Sequence, residues 1–135
     1  MAKHLPTNQL FSLRGKTVIC TGATGGIGLE LSKSLGEAGA DIISIQLPND
    51  PNAPFLLDHL TKIGRTFRAF ECDLADTSAI RAVFQTIWDA GINPSVLLNC
   101  AGINRRRPVI EMTDDDLDLV WNRRAFLLQL LLKLT

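Results

Sequence analysis

A glycine-rich turn between an apolar run and a helix-like segment is the part of this sequence best suited to chemistry. It reads Thr21-Gly22-Ala23-Thr24-Gly25-Gly26-Ile27-Gly28 and follows the apolar run Thr17-Val18-Ile19-Cys20. Glycines at 22, 26 and 28 allow the backbone to approach a diphosphate closely. The helix that follows directs unpaired N–H groups and the positive end of its dipole at the negative charge. Because a strand precedes the turn and a helix follows it, the spacing predicts a dinucleotide-binding turn rather than a loop of small residues.

Strand-like and helix-like segments alternate along the chain, which is typical of an α/β protein with a parallel sheet. We therefore predict a Rossmann-like parallel sheet with flanking helices. The predicted strands are Thr17–Thr21, Asp41–Gln46, Thr66–Cys72 and Val96–Asn99. The predicted helices are Gly26–Ala38, Phe55–Ile63, Thr77–Ala90 and a last one after Thr113, with Leu47–Pro54 as a loop.

Three smaller patterns lead to further predictions. In the first helix, Ile27, Leu31 and Leu35 recur four residues apart, so we expect them on one face of the helix. Thr113-Asp114-Asp115-Asp116 predicts a solvated helix cap rather than a metal site. The three cysteines lie at or near strand ends without a CxxC spacing or a histidine partner, so we expect small buried thiols: Cys20, Cys72 and Cys100.

Composition narrows the range of partners. Fourteen basic and fourteen acidic residues cancel, which gives no indication of a nucleic-acid surface or an acidic membrane target. The longest apolar stretch, residues 125–134, is about half the ~20 residues that a membrane span needs. The polar start of the chain does not resemble a signal peptide. We therefore expect a cytoplasmic protein with no nucleic-acid or membrane partner.

Further site residues are expected at the carboxyl ends of the strands, where open α/β sheets bind ligands. Gln46 stands 18 residues after Gly28, where an acidic side chain would bind a ribose 2′-hydroxyl. Its amide can bond that hydroxyl but cannot repel a 2′-phosphate. Asp73-Leu74 follow the third strand and Asn99-Cys100-Ala101-Gly102 the fourth. Asp73 could instead form a turn or helix entry, and Asn99 could be a turn former.

The combination TGATGGIG, CDL and LNCAG resembles the amino-terminal half of the short-chain dehydrogenase/reductase family. The lead-in from Leu10 and the stretch Ala101–Arg106 are similar to its sugar-acid members, such as 2-deoxy-D-gluconate 3-dehydrogenase. The resemblance covers about Leu10–Asn122. It implies a lead-in of residues 1–14, a partial NAD(P)-binding Rossmann domain of residues 15–122, and a divergent leucine-rich tail of residues 123–135.

The resemblance also implies roles for individual residues. Gly22, Thr24, Gly26, Ile27 and Gly28 would hold the diphosphate end of the cofactor. Asp73 and Leu74 would border the adenine. On the nicotinamide side the implied residues are Asn99, Ala101 and Gly102.

Cofactor and substrate preferences follow from neighbouring positions. Family members that prefer NADP often carry a basic residue where this chain has Gly25 or Leu47, and neither residue can pair with a 2′-phosphate. We therefore expect NAD rather than NADP.

Arg105 and Arg106, in the run that follows the NAG-like element, could bind the carboxylate of a sugar acid bidentately, although a solvated basic loop fits equally well.

The residues that would carry out catalysis are missing from the sequence. Family members use a Tyr-x-x-x-Lys pair and a preceding serine for proton exchange during hydride transfer. This chain contains no tyrosine, so no catalytic residue is assigned and the chain alone is expected to be inactive. Arg123-Arg124 stand where the family has Val-Asn.

We therefore interpret the chain as truncated after its fourth strand and the following helix. Val96–Asn99 would then form an open sheet edge. The alternative is a nucleotide-binding or regulatory fragment that pairs with a full-length relative or with a second copy of itself.

Overall fold

The computed structural model describes residues 6–103, 106–118 and 120. Arg105, the Arg123-Arg124 pair and the leucine-rich tail lie outside the described residues. The elements in chain order are α1 (Thr7–Leu10), β1 (Thr17–Thr21), α2 (Gly26–Glu37), β2 (Asp41–Gln46), α3 (Ala53–Lys62), β3 (Phe67–Glu71), α4 (Thr77–Asp89) and β4 (Val96–Asn99). A short 3₁₀ helix (Val109–Glu111) and helical residues 114–118 follow.

The four strands form one parallel sheet in the order β3-β2-β1-β4. β1 lies inside it, with Cys20 opposite Ser44 on one side and Leu98 on the other. The strand order reverses at β1, because the chain first adds strands on one side of β1 and then returns to add β4 on the other. Such a switch point opens a crevice beyond the carboxyl end of the central strand. The predicted Rossmann-like sheet is confirmed, and within the described residues β4 lies at one of its edges.

Apolar side chains on both faces of the sheet form two core layers. Ile19 and Ile43 face one layer, where they meet α4 through Phe84. Val18 and Ile42 alternate to the other face and pack in the layer that contains Leu56 and Leu60 of α3. Since both faces are covered, the two central strands are almost continuously apolar, as in other buried parallel sheets. This packing holds the ends of β1 and β2 in fixed positions.

The buried face of α2 is not the face that carries Ile27 and Leu31. Ile27 is 79% exposed and Leu31 40% exposed, whereas Leu35 is partly buried against the core. The buried positions are instead those of small residues: Gly28, Ser32 and Gly36. A Cβ on Gly36 would collide with the Leu60 side chain, so the helix packs too closely to place large residues inward. Apolar spacing alone therefore does not identify the buried face of this helix.

Helix and strand boundaries shift slightly from the predicted ones. The predicted loop Leu47–Pro54 is shorter, because α3 begins at Ala53 and takes Pro54 into its first turn. Proline is tolerated there because its missing N–H would have no partner within the helix. β3 is shorter than predicted, although the Cys72 N–H still donates to the Gln46 carbonyl at 2.8 Å.

The predicted helix cap at Thr113 is present. Asp116 Oδ2 accepts hydrogen bonds from the Thr113 backbone N–H at 3.2 Å and from its hydroxyl at 2.9 Å. Asp114 and Asp115 are exposed, as expected of a solvated cap. Asp116 is only 5% exposed and lies 3.6 Å from Arg107 Nη1, so for this residue the solvated interpretation is wrong. Among the described residues, no group of three or more His, Cys, Asp or Glu could hold a metal ion.

The cysteines are unpaired thiols. Cys20 and Cys72 are buried as predicted, while Cys100 is half-buried. Burial raises the pKa of Cys20 to about 12, so this thiol is protonated at neutral pH.

In residues 6–103, 106–118 and 120, none of the helices combines the length and apolar character that crossing a membrane requires.

Asp76 caps the start of α4, and its removal should destabilise the fold in a pH-dependent way. Its Oδ1 accepts hydrogen bonds from the Ser78 hydroxyl at 2.6 Å and from the backbone N–H groups of Ser78 and Ala79. These bonds lower the pKa of Asp76 below its usual 3.8. The stabilisation is therefore present at neutral pH and is lost as the pH falls through the lowered pKa.

We expect Asp76→Ala to lower the Tm by a few degrees at pH 7, and the difference from the parent to shrink toward pH 3, in melts followed by circular dichroism. Asp89→Ala is the control. It removes the same charge at the opposite end of α4, where a carboxylate faces the negative end of the dipole, and it should not lower the Tm. An unchanged Tm for Asp76→Ala at pH 7 would contradict the capping role.

Candidate functional site

Gly22 forms the first bend of the glycine turn, where the chain leaves β1. Its φ is +68°, a left-handed conformation that favours glycine. A Cβ at this position would lie 2.8 Å from the backbone nitrogen of Ala101 and 2.9 Å from its Cα. The turn is closed by the Gly25 N–H, which donates to the Gly22 carbonyl at 3.2 Å. Gly22 therefore lets the turn pack directly against the backbone that follows β4.

The other two motif glycines differ from each other. A Cβ on Gly28 would collide with the Gly22 carbonyl and would lie 3.2 Å from the Cys100 Cβ, so this glycine allows α2 to start against the turn. A Cβ on Gly26 would meet nothing within 4 Å. Gly25, the residue before α2, has no side chain to cap the helix. The open face of the turn is therefore at Gly26, where a ligand can approach the first N–H groups of α2.

A cleft of about 240 Å³ opens beside this turn, beyond the ends of β1 and β2. Two of the predicted residues reach it from the turn, Gly22 and Thr24. Five more reach it from the strand ends: Gln46, Asp73, Leu74, Ala101 and Gly102. The sheet thus brings together seven positions that are far apart in the sequence.

The remaining predicted residues lie outside this cleft. Ile27 and Asn99 line a second depression of about 300 Å³, together with Cys100 and Ala101. Ala101 borders both spaces. Gly26 is exposed and Gly28 is buried, and neither lines these two spaces. Arg106 is exposed, and its neighbour Arg105 lies outside the described residues.

Asp73 makes the local contact that a turn-forming role requires, whereas Asn99 bonds across the sheet to the end of β1. Asp73 Oδ1 accepts from the Ala75 N–H at 2.9 Å while the residue also lines the cleft, so its two interpretations are compatible. Asn99 Oδ1 accepts from the Thr21 hydroxyl at 3.5 Å. Gln46 is buried, and its Oε1 accepts from the Ser44 hydroxyl at 2.9 Å. Its amide nitrogen is then the group that could donate to a ribose hydroxyl.

Thr21 positions the end of β4, a role that the sequence analysis missed. Its carbonyl accepts from the Cys100 N–H at 3.0 Å, and its buried hydroxyl accepts from the Ala101 N–H at 3.3 Å. These bonds hold Ala101 against Gly22. No sequence signal identifies this threonine, because its partners lie about 80 residues further along the chain.

Asp50 was also missed, although it lines the cleft. Thr24, which is 3% exposed, donates from its hydroxyl to Asp50 Oδ2 at 2.6 Å. Asn52 Nδ2 donates to the Thr24 carbonyl at 3.1 Å. The loop after β2 is thereby fastened to the glycine turn. The sequence signal for Asp50 is a carboxylate between two prolines on that loop, four residues beyond the strand end where an acidic residue is usually expected.

The side chains that line the cleft are either acidic or uncharged. Asp50 and Asp73 are among its lining residues, and within the described part of the chain that lining contains no lysine or arginine. Attraction for a diphosphate must therefore come from the N–H groups and dipole at the start of α2. An open glycine, an uncapped helix start and a cleft beside the turn together fit a dinucleotide.

Comparisons with known proteins agree with this geometry. The chain matches the family described as short chain dehydrogenase over residues 16–126. It is 34% identical over 112 residues to 2-dehydro-3-deoxy-D-gluconate 5-dehydrogenase of Pseudoalteromonas atlantica, covering 83% of this chain and 44% of that protein. It is 31% identical over 117 residues to D-threitol dehydrogenase of Mycolicibacterium smegmatis, covering 87% and 45%. The first of these confirms the predicted resemblance to sugar-acid members.

Solved structures show the same arrangement. A short chain dehydrogenase from Burkholderia cenocepacia in complex with NADP is 31% identical, with a TM-score of 0.71 over 82% of this chain and 45% of that one. A short-chain type dehydrogenase/reductase from Mycobacterium marinum, 22% identical, shares the fold with a TM-score of 0.79 over 96% and 52%. The chain spans less than half the length of the two dehydrogenase sequences that it matches. Its match to the family extends over most of its residues, and the chain therefore belongs to the short-chain dehydrogenase family, of which it represents the amino-terminal portion.

Proposed function

We propose that this chain is the cofactor-binding part, residues 15–122, of an NAD(P)-dependent short-chain oxidoreductase. The observation that carries the proposal is the difference among the three motif glycines. Gly22 and Gly28 are required for packing, whereas a Cβ on Gly26, the first residue of α2, would meet nothing within 4 Å. A turn needed only for folding has no reason to keep that face open.

The residues around the cleft suggest how a dinucleotide would be held. The diphosphate would lie over Gly26, the adenosine ribose near Gln46, and the adenine beside Asp73 and Leu74. The nicotinamide would extend toward the residues from Asn99 to Gly102. When bound, the cofactor supplies the hydride chemistry, and the residues of this chain bind and orient it.

We also propose NAD as the preferred cofactor. Gly25 and Leu47 line the cleft where a cation would be needed to pair with a 2′-phosphate, and neither carries charge. Gln46 offers an amide that can bond a hydroxyl. For the oxidoreductase of which this chain would be the cofactor-binding part, we propose a sugar acid as substrate, in keeping with the 34% identity to a sugar-acid dehydrogenase.

A nucleotide-binding or regulatory fragment is the second candidate. It is favoured by the position of β4 at an edge of the sheet that the described residues form. Ile27 and Leu31 of α2 are also exposed. Such a fragment would pair with a full-length relative or with a second copy of the chain. Sedimentation of the purified chain, alone and mixed with a full-length relative, tests the pairing.

Cofactor binding without turnover is the first expected result for residues 1–135. NAD should bind the folded chain and not the unfolded one, so it should raise the Tm. The stabilisation should be about 2.7 kcal/mol when the NAD concentration is 100 times Kd. Incubation with NAD and sugar acids such as D-gluconate should produce no reduced nicotinamide, measured by absorbance. An unchanged Tm at millimolar NAD would refute the binding function, and NADH formation would refute the inactivity.

Alanine substitutions at Gly26 and Gly28 should separate the effect on stability from the effect on cofactor binding. Gly28→Ala places a methyl group against the backbone of Gly22, which cannot move aside, so we expect a loss of about 3 kcal/mol in urea unfolding. Gly26→Ala should leave stability within about 0.5 kcal/mol, because its Cβ enters open space. It should still weaken NAD binding about tenfold by calorimetry, since the methyl group keeps the diphosphate away. Full NAD affinity in a folded Gly26→Ala chain would show that the cofactor binds elsewhere.

Arg106 should contribute to recognition of an acidic substrate. Removing one charge-assisted bond to a carboxylate typically costs about tenfold in affinity. We therefore expect Arg106→Ala to weaken binding of D-gluconate to the NAD-saturated chain by about that factor in calorimetry. Arg81→Ala, which removes the same charge from the exposed side of α4, is the control. Equal affinities for the two variants would favour the solvated-loop interpretation.

A further inference from the structure

We propose that Asp50 is the residue that excludes NADP: its carboxylate, fastened to the glycine turn by Thr24, repels a phosphate on the 2′ position of the adenosine ribose. This inference rests on the proposed dinucleotide-binding function and adds to it the side chain responsible for cofactor choice. Asp50 lies four residues beyond the end of β2, so it is not at the strand-end position where an acidic residue is usually sought.

The position of Asp50 follows from the path of the loop after β2. The loop leaves the sheet after Gln46 and returns to the glycine turn, so that Asp50 lines the same cleft as Gln46 and Gly25. In dinucleotide-binding folds the adenosine ribose lies at the end of the second strand. A ribose held there would be bordered by Gln46 on the strand side and by the Asp50 carboxylate on the loop side.

The carboxylate is held in place by hydrogen bonds from both directions. The Thr24 hydroxyl donates to Oδ2 at 2.6 Å, and the Asn52 backbone N–H donates to Oδ1 at 2.9 Å. Asn52 Nδ2 donates in turn to the Thr24 carbonyl at 3.1 Å, which closes the contact between loop and turn. A carboxylate fixed in this way cannot rotate out of the cleft to avoid an incoming anion.

No cation neutralises this charge in the part of the chain that the structure describes. The ion pairs found there involve other carboxylates, and both hydrogen-bond donors to Asp50 are neutral. A second acidic residue, Glu71, accepts from the Asn49 N–H of the same loop at 3.4 Å. The loop side of the cleft is therefore negative.

The expected size of the effect follows from Coulomb's law. A phosphate monoester carries nearly two negative charges at neutral pH. At a separation of about 6 Å in a water-like dielectric, its repulsion by one carboxylate corresponds to roughly a tenfold change in affinity. NAD lacks this phosphate, so the carboxylate should discriminate against NADP with little effect on NAD.

Asp50→Asn tests the charge while keeping a side-chain oxygen that can accept from Thr24. We would measure Kd for NAD and for NADP by calorimetry with the full chain. The unsubstituted chain should bind NAD more tightly than NADP. Asp50→Asn should lower the ratio of the Kd for NADP to the Kd for NAD about tenfold, mainly through tighter NADP binding. Asp58→Asn removes the same charge from the exposed face of α3 and should leave the ratio unchanged.

Salt provides a second measurement that needs no substitution and so does not depend on how Asp50→Asn folds. Raising ionic strength from about 0.02 M to about 0.5 M shortens the Debye length severalfold. The ratio of the two dissociation constants in the unsubstituted chain should then fall toward one. Such a fall in the unsubstituted chain would show that charge is the source of the discrimination.

Two results would overturn the inference while leaving the proposed function intact. One is that both cofactors bind but the ratio of their dissociation constants is the same in the parent and in Asp50→Asn. The other is tighter binding of NADP than of NAD by the parent. Binding of neither cofactor would overturn the inference together with the dinucleotide function on which it rests.

Discussion

The close approach of the glycine turn to the backbone after β4 is the constraint on which the rest of the site depends. Gly22 can lie against Ala101 only because it has no side chain, and Gly28 can lie against Gly22 for the same reason. The buried hydroxyl and carbonyl of Thr21 hold Cys100 and Ala101 in this position. One packing arrangement therefore sets the start of α2, the end of β1 and the end of β4. The cleft opens where these three elements meet.

The chemistry of the cleft follows from this arrangement. Since the cleft lining within the described residues has no basic side chain, a diphosphate can be attracted only by the backbone at the start of α2. The acidic groups lie instead on the loop after β2 and at the end of β3. A site built in this way suits a ligand whose negative charge is confined to its middle. The dinucleotide that we propose carries negative charge on its central diphosphate, and membership of the short-chain dehydrogenase family is consistent with it.

Much of this fold could be predicted from the sequence, because strand positions depend on local apolar runs and the glycine turn on local spacing. The inward face of α2 could not. Its inward residues, such as Gly28 and Gly36, are small because the neighbouring elements are close, and apolar periodicity does not record closeness. The contact between Thr24 and Asp50 was missed for a related reason: 26 residues separate the partners, and only the folded loop brings them together. Asp116 was placed in solvent because its local pattern predicts a cap and gives no sign of Arg107.

A crystal structure of residues 1–135 with NAD bound tests the central claim most directly, namely that the packed turn leaves a prepared site for a dinucleotide. We predict that the diphosphate lies over Gly26 at the start of α2, with the adenosine ribose between Gln46 and Asp50. The glycine turn should keep the conformation described here, because its packing against Ala101 leaves it no room to rearrange. Density for the diphosphate away from Gly26, or a turn that rebuilds on binding, would contradict the account.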